Sequence, residues 1–216
     1  KRFSVRVIRT YGLTEAPALV SLDDLDGERP AGTSGRPLDH LSVNAVDGEL
    51  LLSAASEGRW AGAYRPFLGY WGQPEATAEV LVAGSLRTGD LGAIEEGGHL
   101  RVLGRRSHVI IRGGANVYPA EVERVLVQAP GVAAAAVMGV PDERLGQRVG
   151  AAVEAAGDKP DARVILAYCR RQLAAYKVPE RIVFVDRLPR NAMGKVRLAE
   201  LGALLVDAPV LRVPSE

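Results

Sequence analysis

Cysteine and histidine are scarce in this chain of 216 residues. It contains one cysteine, Cys169, and three histidines, His40, His99 and His108, which lie far apart in the sequence. A single cysteine cannot form an internal disulfide, and its isolation fits a reducing compartment. The histidines lack the close spacing of metal ligands. We therefore expect no disulfide framework and no histidine metal site, and we expect Cys169 to be a buried helix residue.

A strong net charge and a long apolar run are also missing. Lysine and arginine number 27 and aspartate and glutamate 26, so the net charge is +1 and no large field favours nucleic acid. No apolar run reaches the roughly 20 residues that a membrane span needs. Residues 1–5 have neither an initiator methionine nor the hydrophobic segment of a signal peptide. We therefore expect a cytoplasmic chain that begins inside a longer protein.

The first half of the chain predicts a small antiparallel β unit. Residues 16–36 are rich in glycine, proline and aspartate and are expected to form a loop with edge strands. Asp47-Gly48 between two apolar runs is a strong hairpin signal. Strands are expected at residues 5–9, 41–46, 49–53, 90–94 and 99–103, and a short helix is expected at residues 75–82.

In the second half, helices alternate with apolar strands. Pro119 suits a first helical turn, Asp161 suits an N-cap, and Val164 and Ile165 suit an apolar helix face. Helices are expected at residues 119–128, 161–173 and 196–205, and strands at residues 109–112, 132–140, 148–155 and 181–185. The fold class is therefore α+β, with a compact α+β unit following the β unit.

Five short motifs follow one another along the chain. They are Tyr11-Gly12-Leu13-Thr14-Glu15, Gly69-Tyr70-Trp71, Arg87-Thr88-Gly89-Asp90, Gly104-Arg105 and Gly194-Lys195. In the first motif, the Thr14 hydroxyl can donate to a phosphate oxygen and the Glu15 carboxylate can hold Mg²⁺. Tyr11 offers a flat face for stacking on a base. Taken alone, the motif also fits a polar turn after a strand.

The later motifs carry groups that suit the sugar and phosphates of a nucleotide. Asp90 can accept two hydrogen bonds from a ribose diol, although a Gly-Asp pair is commonly only a turn. The Arg105 guanidinium suits phosphate and ribose oxygens, but it fits a solvated surface position equally well. Lys195 follows a glycine and is placed on an exposed loop, where a lysine is usually only solvated.

The order and spacing of these motifs resemble the second half of the acid-adenylating superfamily, which includes acyl-CoA synthetases, peptide-synthetase adenylation domains and beetle luciferases. The resemblance covers nearly the whole chain. It implies an acid–thiol ligase that converts a carboxylic acid and ATP to acyl-AMP and pyrophosphate, then transfers the acyl group to CoA. It implies that residues 1–104 end the AMP-binding domain with a small antiparallel β-barrel-like subdomain, that residues 105–108 are a hinge, and that residues 109–216 are a mobile lid domain.

The resemblance implies how the chain binds ATP. Tyr11 would pack on the adenine, beside Gly12. Asp90 would bind the ribose, and Arg105 would contact ribose and phosphate.

The resemblance also implies which residues are catalytic. Thr14 would contact the α-phosphate, and Glu15 would bind Mg²⁺. Lys195 would steady the charge that builds on the carboxylate and the α-phosphate, as a preorganised cation should. This lysine is the most specific of the matches.

The lid sequence resembles acyl-CoA ligases more than peptide-synthetase domains. Gly113-Gly114, followed by Asn116-Val117-Tyr118-Pro119, resembles the segment that lines the tunnel for the pantetheine arm of CoA. Lys177 lies in a second ligase-like segment and could meet a CoA phosphate or be a surface lysine. Ser107 departs from the family, which usually has Asp or Lys at this hinge position, yet a small residue can absorb a backbone rotation.

Residues 31–37, Ala-Gly-Thr-Ser-Gly-Arg-Pro, imitate a phosphate loop. A phosphate cradle uses successive backbone N–H groups and usually a lysine, which this segment lacks. We expect the segment to be structural.

The implied partners are the N-terminal half of the same enzyme, a carboxylic acid, and CoA or a carrier protein. Because the family's phosphate loop lies in that first half, the chain alone is expected to be inactive. Fatty acid metabolism is one expected setting, although the acid is not defined by this half. Three alternatives remain: an enzyme that loads a carrier protein, a non-catalytic interaction module derived from the lid, and a luciferase-like oxygenase suggested by fold alone.

Overall fold

A computed structural model describes residues 7–17 and 19–211. The chain divides into two compact units, Lys1–Arg106 and Ser107–Glu216, and each has its own hydrophobic core. The predicted α+β class is confirmed. Within the described residues, none of the helices combines the length and apolar character needed to cross a membrane.

The first unit consists of two antiparallel sheets and one short helix. Its elements are β1 (Thr10–Tyr11), β2 (Ser21–Leu22), β3 (Arg36–Pro37), β4 (Leu41–Val46), β5 (Glu49–Ala54), α1 (Pro74–Val80), β6 (Leu81–Val82), β7 (Ser85–Ile94) and β8 (Leu100–Arg105). One sheet has the order β1-β2-β3. The other has the order β4-β5-β7-β6, and β8 pairs with β7.

Turn chemistry sets the register of the larger sheet. Asp47 and Gly48 both have positive φ, of 49° and 77°, as a two-residue hairpin of this twist requires. The predicted hairpin of β4 and β5 is therefore confirmed. Ala83 and Gly84 form a second such turn, with φ of 49° and 78°.

Two predictions in the first unit need correction. The helix expected at residues 75–82 ends at Val80, because Leu81 and Val82 pair with β7 across the Ala83-Gly84 turn. Of the strand expected at residues 5–9, residues 5 and 6 lie outside the described residues. Residues 7–9 are not in a strand, and the strand begins at Thr10.

The second unit is a mixed sheet with helices on both faces. Its elements are β9 (Ile110–Arg112), β10 (Ala115–Val117), α2 (Pro119–Leu126), β11 (Val132–Asp142), β12 (Gly146–Ala155), α3 (Ala162–Gln172), β13 (Arg181–Val185) and α4 (Leu198–Val206). The sheet has the order β10-β9-β12-β11. β13 is parallel to β12, whereas the other pairs are antiparallel.

Alternation along the strands separates the core of this unit into two layers. In β12, Val149 and Val153 pack with α2 and α3, while Ala152 packs with α4. Successive strand residues face opposite sides of a sheet, so the sheet lies between these helices. Cys169 is fully buried in α3, as predicted.

Helix boundaries follow local hydrogen bonds. The Asp161 carboxylate accepts a hydrogen bond from Arg163 N at 2.8 Å, which confirms the predicted N-cap of α3. Val164, however, is half exposed, and the buried face of α3 consists of Ile165, Leu166 and Cys169. The last helix begins at Leu198 instead of residue 196, because Val196 pairs with Arg190.

Candidate active site

An open cleft of about 640 Å³ in the first unit collects residues from three of the five motifs and the arginine of a fourth. Its lining includes Glu15, Tyr70, Thr88, Gly89 and Arg105. Residues far apart in sequence therefore meet around one cleft.

Asp90 is held between two predicted site residues. Its Oδ2 accepts a hydrogen bond from the Tyr11 hydroxyl at 2.6 Å, and its Oδ1 pairs with Arg105 Nε at 2.9 Å. Asp90 is only 6% exposed, whereas half of the Arg105 side chain is open to solvent. A carboxylate has about four acceptor positions, so the pair leaves capacity for further hydroxyl donors.

Tyr11 uses its hydroxyl and its ring differently. Burial, and then the hydrogen bond to Asp90, raise the pKa of Tyr11 well above its usual range. Tyr11 is therefore a neutral donor to the carboxylate at physiological pH. Its ring packs against the apolar core of the first unit. The expectation that Tyr11 stacks on adenine remains a prediction.

A bulge in β7 aims Asp90. Glu49 pairs with Leu91 and Leu51 pairs with Arg87, so that only Leu50 on β5 lies opposite residues 88–90. The bulge is fixed internally: the Thr88 hydroxyl donates to Leu50 O at 2.8 Å and accepts from Asp90 N at 3.0 Å. Bulges of this kind redirect side chains, often beside functional sites.

Glu49 completes this bulge, although no motif contains it. Its carboxylate accepts hydrogen bonds from Arg87 Nη2 at 2.5 Å, Arg106 Nη1 at 3.1 Å and Gly89 N at 3.2 Å. The Arg87 hydrogen bond is the main cause that holds the pKa of Glu49 below its usual range. The Asp47-Gly48 turn predicted the start of β5 at Glu49, but only the pairing of β5 with β7 brings Glu49 to the Arg-Thr-Gly-Asp motif.

Glu15 also lines the cleft. Its Oε1 accepts a hydrogen bond from the Tyr70 hydroxyl at 2.9 Å, and its backbone oxygen accepts from Phe67 N at 2.8 Å. Burial, and then Glu15, raise the pKa of Tyr70. Gly12 and Thr14 are exposed in the adjoining turn.

A magnesium ion fits this arrangement. Mg²⁺ is commonly held by one or two carboxylates together with substrate phosphates. The Oε2 atom of Glu15 is not engaged by Tyr70, which donates to Oε1. Among residues 7–17 and 19–211, no group of three or more acidic, histidine or cysteine side chains could hold a metal alone.

Lys195 is presented by a tight turn in the second unit. The Asn191 side chain accepts from Lys195 N at 2.9 Å and from Met193 N at 3.0 Å, and Asn191 N donates to Lys195 O at 2.8 Å. Gly194 has a φ of 78°, which suits glycine. The Lys195 side chain is exposed on this ordered turn.

Gly113 and Gly114 form the turn between β9 and β10. Their φ angles are 56° and 85°, and Gly113 N donates to Leu145 O at 2.8 Å. A side chain at Gly114 would meet no atom within 4 Å, so the turn has open space on one side. Ser107 lies in the short 3₁₀ turn Arg106–His108 and is exposed.

Lys177 forms an ion pair within the second unit. Its Nζ contacts both carboxylate oxygens of Glu121, at 2.7 and 2.8 Å, and its side chain is 19% exposed. In this structure the ammonium is paired with the glutamate, and contact of Lys177 with a CoA phosphate remains a prediction.

The segment at residues 31–37 is structural, as predicted. The Thr33 hydroxyl donates to Pro30 O at 2.9 Å, and Ser34 O accepts from the Ser21 hydroxyl at 2.6 Å. Gly35 has a φ of 78°, and a Cβ there would lie 2.0 Å from Leu22 O. The glycine therefore permits close packing of two backbones.

The chain is similar in sequence to one protein family and to known CoA ligases. The family described as the AMP-binding enzyme C-terminal domain matches residues 121–195. The chain is 44% identical over 205 residues to the 3-[(3aS,4S,7aS)-7a-methyl-1,5-dioxo-octahydro-1H-inden-4-yl]propanoyl:CoA ligase of Mycobacterium tuberculosis, covering 91% of this chain and 38% of that protein. It is 43% identical over 217 residues to the 2-succinylbenzoate–CoA ligase of Geobacillus kaustophilus, covering 95% and 42%.

A solved structure shows the same fold. ATP-bound MatB from Rhodopseudomonas palustris superposes with a TM-score of 0.80 at 34% identity, over 93% of this chain and 41% of that one. The chain thus spans about 40% of the length of the relatives that it matches.

Proposed function

We propose that the chain works within an ATP-dependent carboxylic acid–CoA ligase, since residues 121–195 match the AMP-binding enzyme C-terminal domain and the chain is similar to about 40% of the length of two CoA ligases. The reaction is acid plus ATP to acyl-AMP and pyrophosphate, followed by acyl transfer to the CoA thiol. The observation that carries this proposal is that Glu15 and Arg105 line one cleft, and that Arg105 pairs with the buried carboxylate of Asp90.

In the proposed first step, the cleft binds the nucleotide. Asp90, fixed by Tyr11 and Arg105, accepts hydrogen bonds from the ribose hydroxyls. Arg105 extends an exposed guanidinium toward ribose and phosphate oxygens, a pairing for which its planar donors are suited. Asp90 is preorganised because two partners already restrict its rotamer.

Three residues act at the phosphates of ATP: Thr14, Glu15 and Lys195. Thr14 donates to the α-phosphate, and Glu15 holds Mg²⁺, which when bound would offset phosphate charge. Lys195 stabilises the negative charge that develops between the carboxylate and the α-phosphorus. Its ordered turn lowers the entropy lost in positioning the ammonium.

CoA is the proposed acceptor in the second step. The open side of the Gly113-Gly114 turn offers room for a narrow chain such as pantetheine. The sequence Asn116-Val117-Tyr118-Pro119, which resembles acyl-CoA ligases, favours CoA over a carrier protein. We leave the acid unspecified, a fatty acid being one candidate.

The proposed organisation assigns residues 1–104 to the end of the AMP-binding domain and residues 109–216 to a mobile lid. Residues 105–108 form the hinge, with Ser107 absorbing the rotation. A preceding N-terminal part supplies the phosphate loop and most of the acid pocket, and the reaction takes place in the cytoplasm. The 216-residue chain alone is expected to form no acyl-adenylate.

The acceptor is tested with the longer protein that contains this chain. It is incubated with ATP, Mg²⁺ and a panel of carboxylic acids, and offered CoA, a phosphopantetheinyl carrier protein, or neither. Acyl-CoA formation supports the ligase. Thioester on the carrier alone would favour the carrier-loading enzyme, and absence of pyrophosphate release with every acid would favour a non-catalytic module.

A further inference from the structure

Glu49 belongs to the lining of the cleft, with only 4% of its surface exposed. Two segments of the chain converge on its carboxylate. Arg87 and Gly89 come from β7, and Arg106 follows directly after β8. A buried carboxylate is unfavourable unless it is paired and hydrogen-bonded, so these three donors account for its presence as an ion.

The bonds of Glu49 fix the neighbours of the nucleotide-binding pair. Gly89 lies in the bulge, where backbone groups leave the regular ladder, and its N–H donates to Glu49 at 3.2 Å. Gly89 directly precedes Asp90, and Arg106 directly follows Arg105. One carboxylate therefore restrains both strand segments from which Asp90 and Arg105 project.

The two arginines at Glu49 are themselves partly open to the cleft. The exposed fractions of the Arg87 and Arg106 side chains are 45% and 55%, while that of Glu49 is 5%. The anion is thus on the protein side and the cations are on the solvent side. Removing the anion would leave both guanidiniums free to rotate into the space beside Arg105.

We propose that Glu49 is a positioning residue for nucleotide binding, which holds the Thr88–Asp90 bulge and the end of β8 in the geometry that aims Asp90 and Arg105 at the ribose. This proposal rests on the proposed function of the cleft and adds a residue outside its five motifs. Glu49 acts through its neighbours, because Arg87, Arg106 and the Gly89 N–H already engage its carboxylate.

The test compares Glu49→Gln with the wild type in the longer protein. Glutamine keeps the size and an acceptor oxygen for Gly89 N–H, but it removes the charge that holds the two arginines. We expect the KM for ATP to rise on the order of tenfold, with the KM for the acid changed less than about twofold. The midpoint of thermal unfolding is measured for each variant.

Glu95→Gln is the matched control, because Glu95 pairs with Arg101 in the same unit but does not line the cleft. Its KM for ATP should equal that of the wild type. Arg106→Gln, which leaves Arg87 on Glu49, should give a smaller rise. The KM for ATP of the double variant, which combines Glu49→Gln with Arg106→Gln, should be no higher than that of Glu49→Gln alone, since the effects of substitutions at contacting residues are not additive. A lowered unfolding midpoint with an unchanged KM for ATP would show a merely structural role and overturn the proposal.

Failure of the proposed ligase function can be distinguished from failure of the Glu49 proposal. If the wild type released no pyrophosphate with any acid, the ligase assignment would fail, and calorimetric titration with AMP would replace the KM measurement. Weaker AMP binding by Glu49→Gln than by Glu95→Gln would still support positioning. Equal affinities, or no binding of AMP by the wild type, would overturn it.

Discussion

Tyr11 illustrates how one residue can differ from its sequence interpretation. Its flat ring suggested stacking, whereas the structure uses its hydroxyl to hold Asp90 at 2.6 Å. Stacking of the ring on adenine and the hydrogen bond to Asp90 are compatible, but only the hydrogen bond is formed within the chain. Phenylalanine would separate them, because it keeps the ring.

Tyr11→Phe should weaken ATP binding without impairing the chemistry. Loss of one hydrogen bond typically costs about 1 kcal/mol, so the KM for ATP should rise roughly fivefold, with kcat nearly unchanged. Steady-state kinetics of the longer protein measure both. An unchanged KM would show that Arg105 alone suffices to fix Asp90.

For single residues, the sequence indicated the chemical type of a side chain better than it indicated which residues that side chain contacts. Glu15 and Arg105, which belong to two separate motifs, line one cleft, and their roles there remain predictions. The motifs did not reveal Glu49, because its role depends on strand pairing with a segment 38 residues away. The ion pair of Lys177 was not predicted for the same reason, since Glu121 is 56 residues distant.

Among the elements, α4 is stabilised at its C-terminal end by a strand residue. Arg181 Nη1 donates to Leu205 O at 3.2 Å, Ala208 O at 2.7 Å and also to Val206 O. The last carbonyls of a helix lack partners within it and carry partial negative charge. A guanidinium at this position therefore ties β13 to α4, the helix that follows the Lys195 turn.

Arg181→Met should destabilise the chain by roughly 1–3 kcal/mol, because partly buried carbonyl groups at the end of α4 would lose a charged donor. Urea unfolding followed by circular dichroism measures the loss. Arg124→Met, which removes an exposed arginine from α2, is the control and should change little. Equal stability of the two variants would contradict the capping role of Arg181.

A charge network joins three strands of the same unit. Glu180 contacts Arg112 Nε at 2.7 Å and Arg148 Nη1 at 2.6 Å, and Arg148 also pairs with Asp142. Burial acts to raise the pKa of Glu180, but the two arginines outweigh it and the pKa is lowered from its ordinary value of 4.5.

This lowered pKa predicts a pH dependence. The stabilisation is fully present above pH 4.5 and is lost as the pH falls through the lower pKa of the folded state. Glu180→Gln should therefore be less stable at neutral pH and should lose less further stability below pH 4.5 than the wild type. Urea titrations across this range test it, with Glu200→Gln in an exposed pair as control. Parallel pH profiles for wild type and Glu180→Gln would refute the prediction.

Element prediction succeeded where pattern and turn chemistry agreed. The β4–β5 hairpin and the α3 cap were both correct because Asp47-Gly48 and Asp161 act locally. The strand β10 (Ala115–Val117) was missed, since it follows two glycines and depends on pairing with β9. Likewise, β6 was assigned to a helix because the turn at Ala83-Gly84 carries no strong signal for residues before it.

The whole chain consists of two units with separate cores. The second unit buries its own apolar layers on both faces of one sheet. We expect residues 107–216 to fold alone and to unfold cooperatively, as single domains of this size usually do. Far-ultraviolet circular dichroism during heating measures this. A broad, non-cooperative loss of signal would show that the unit depends on the rest of the chain.

Apolar surface in the first unit agrees with the proposal of a larger enzyme. Leu68 and Trp71, which lie close to the cleft residue Tyr70 in the sequence, are fully exposed. Large apolar side chains exposed together often mark a surface that another protein segment covers. We propose that the N-terminal part of the ligase covers them. The acid pocket could not be predicted from this chain, because the motifs that it carries concern the nucleotide and CoA.

The central claim is that Lys195 catalyses acid adenylation. The most direct measurement is acid-dependent pyrophosphate release by the longer protein, comparing wild type with Lys195→Ala and with Arg187→Ala, which removes an exposed cation upstream of the same turn. Loss of a preorganised charge of this kind should lower kcat by about 100-fold or more in Lys195→Ala, with Arg187→Ala close to wild type. Release that is equally fast in Lys195→Ala and wild type would contradict the account.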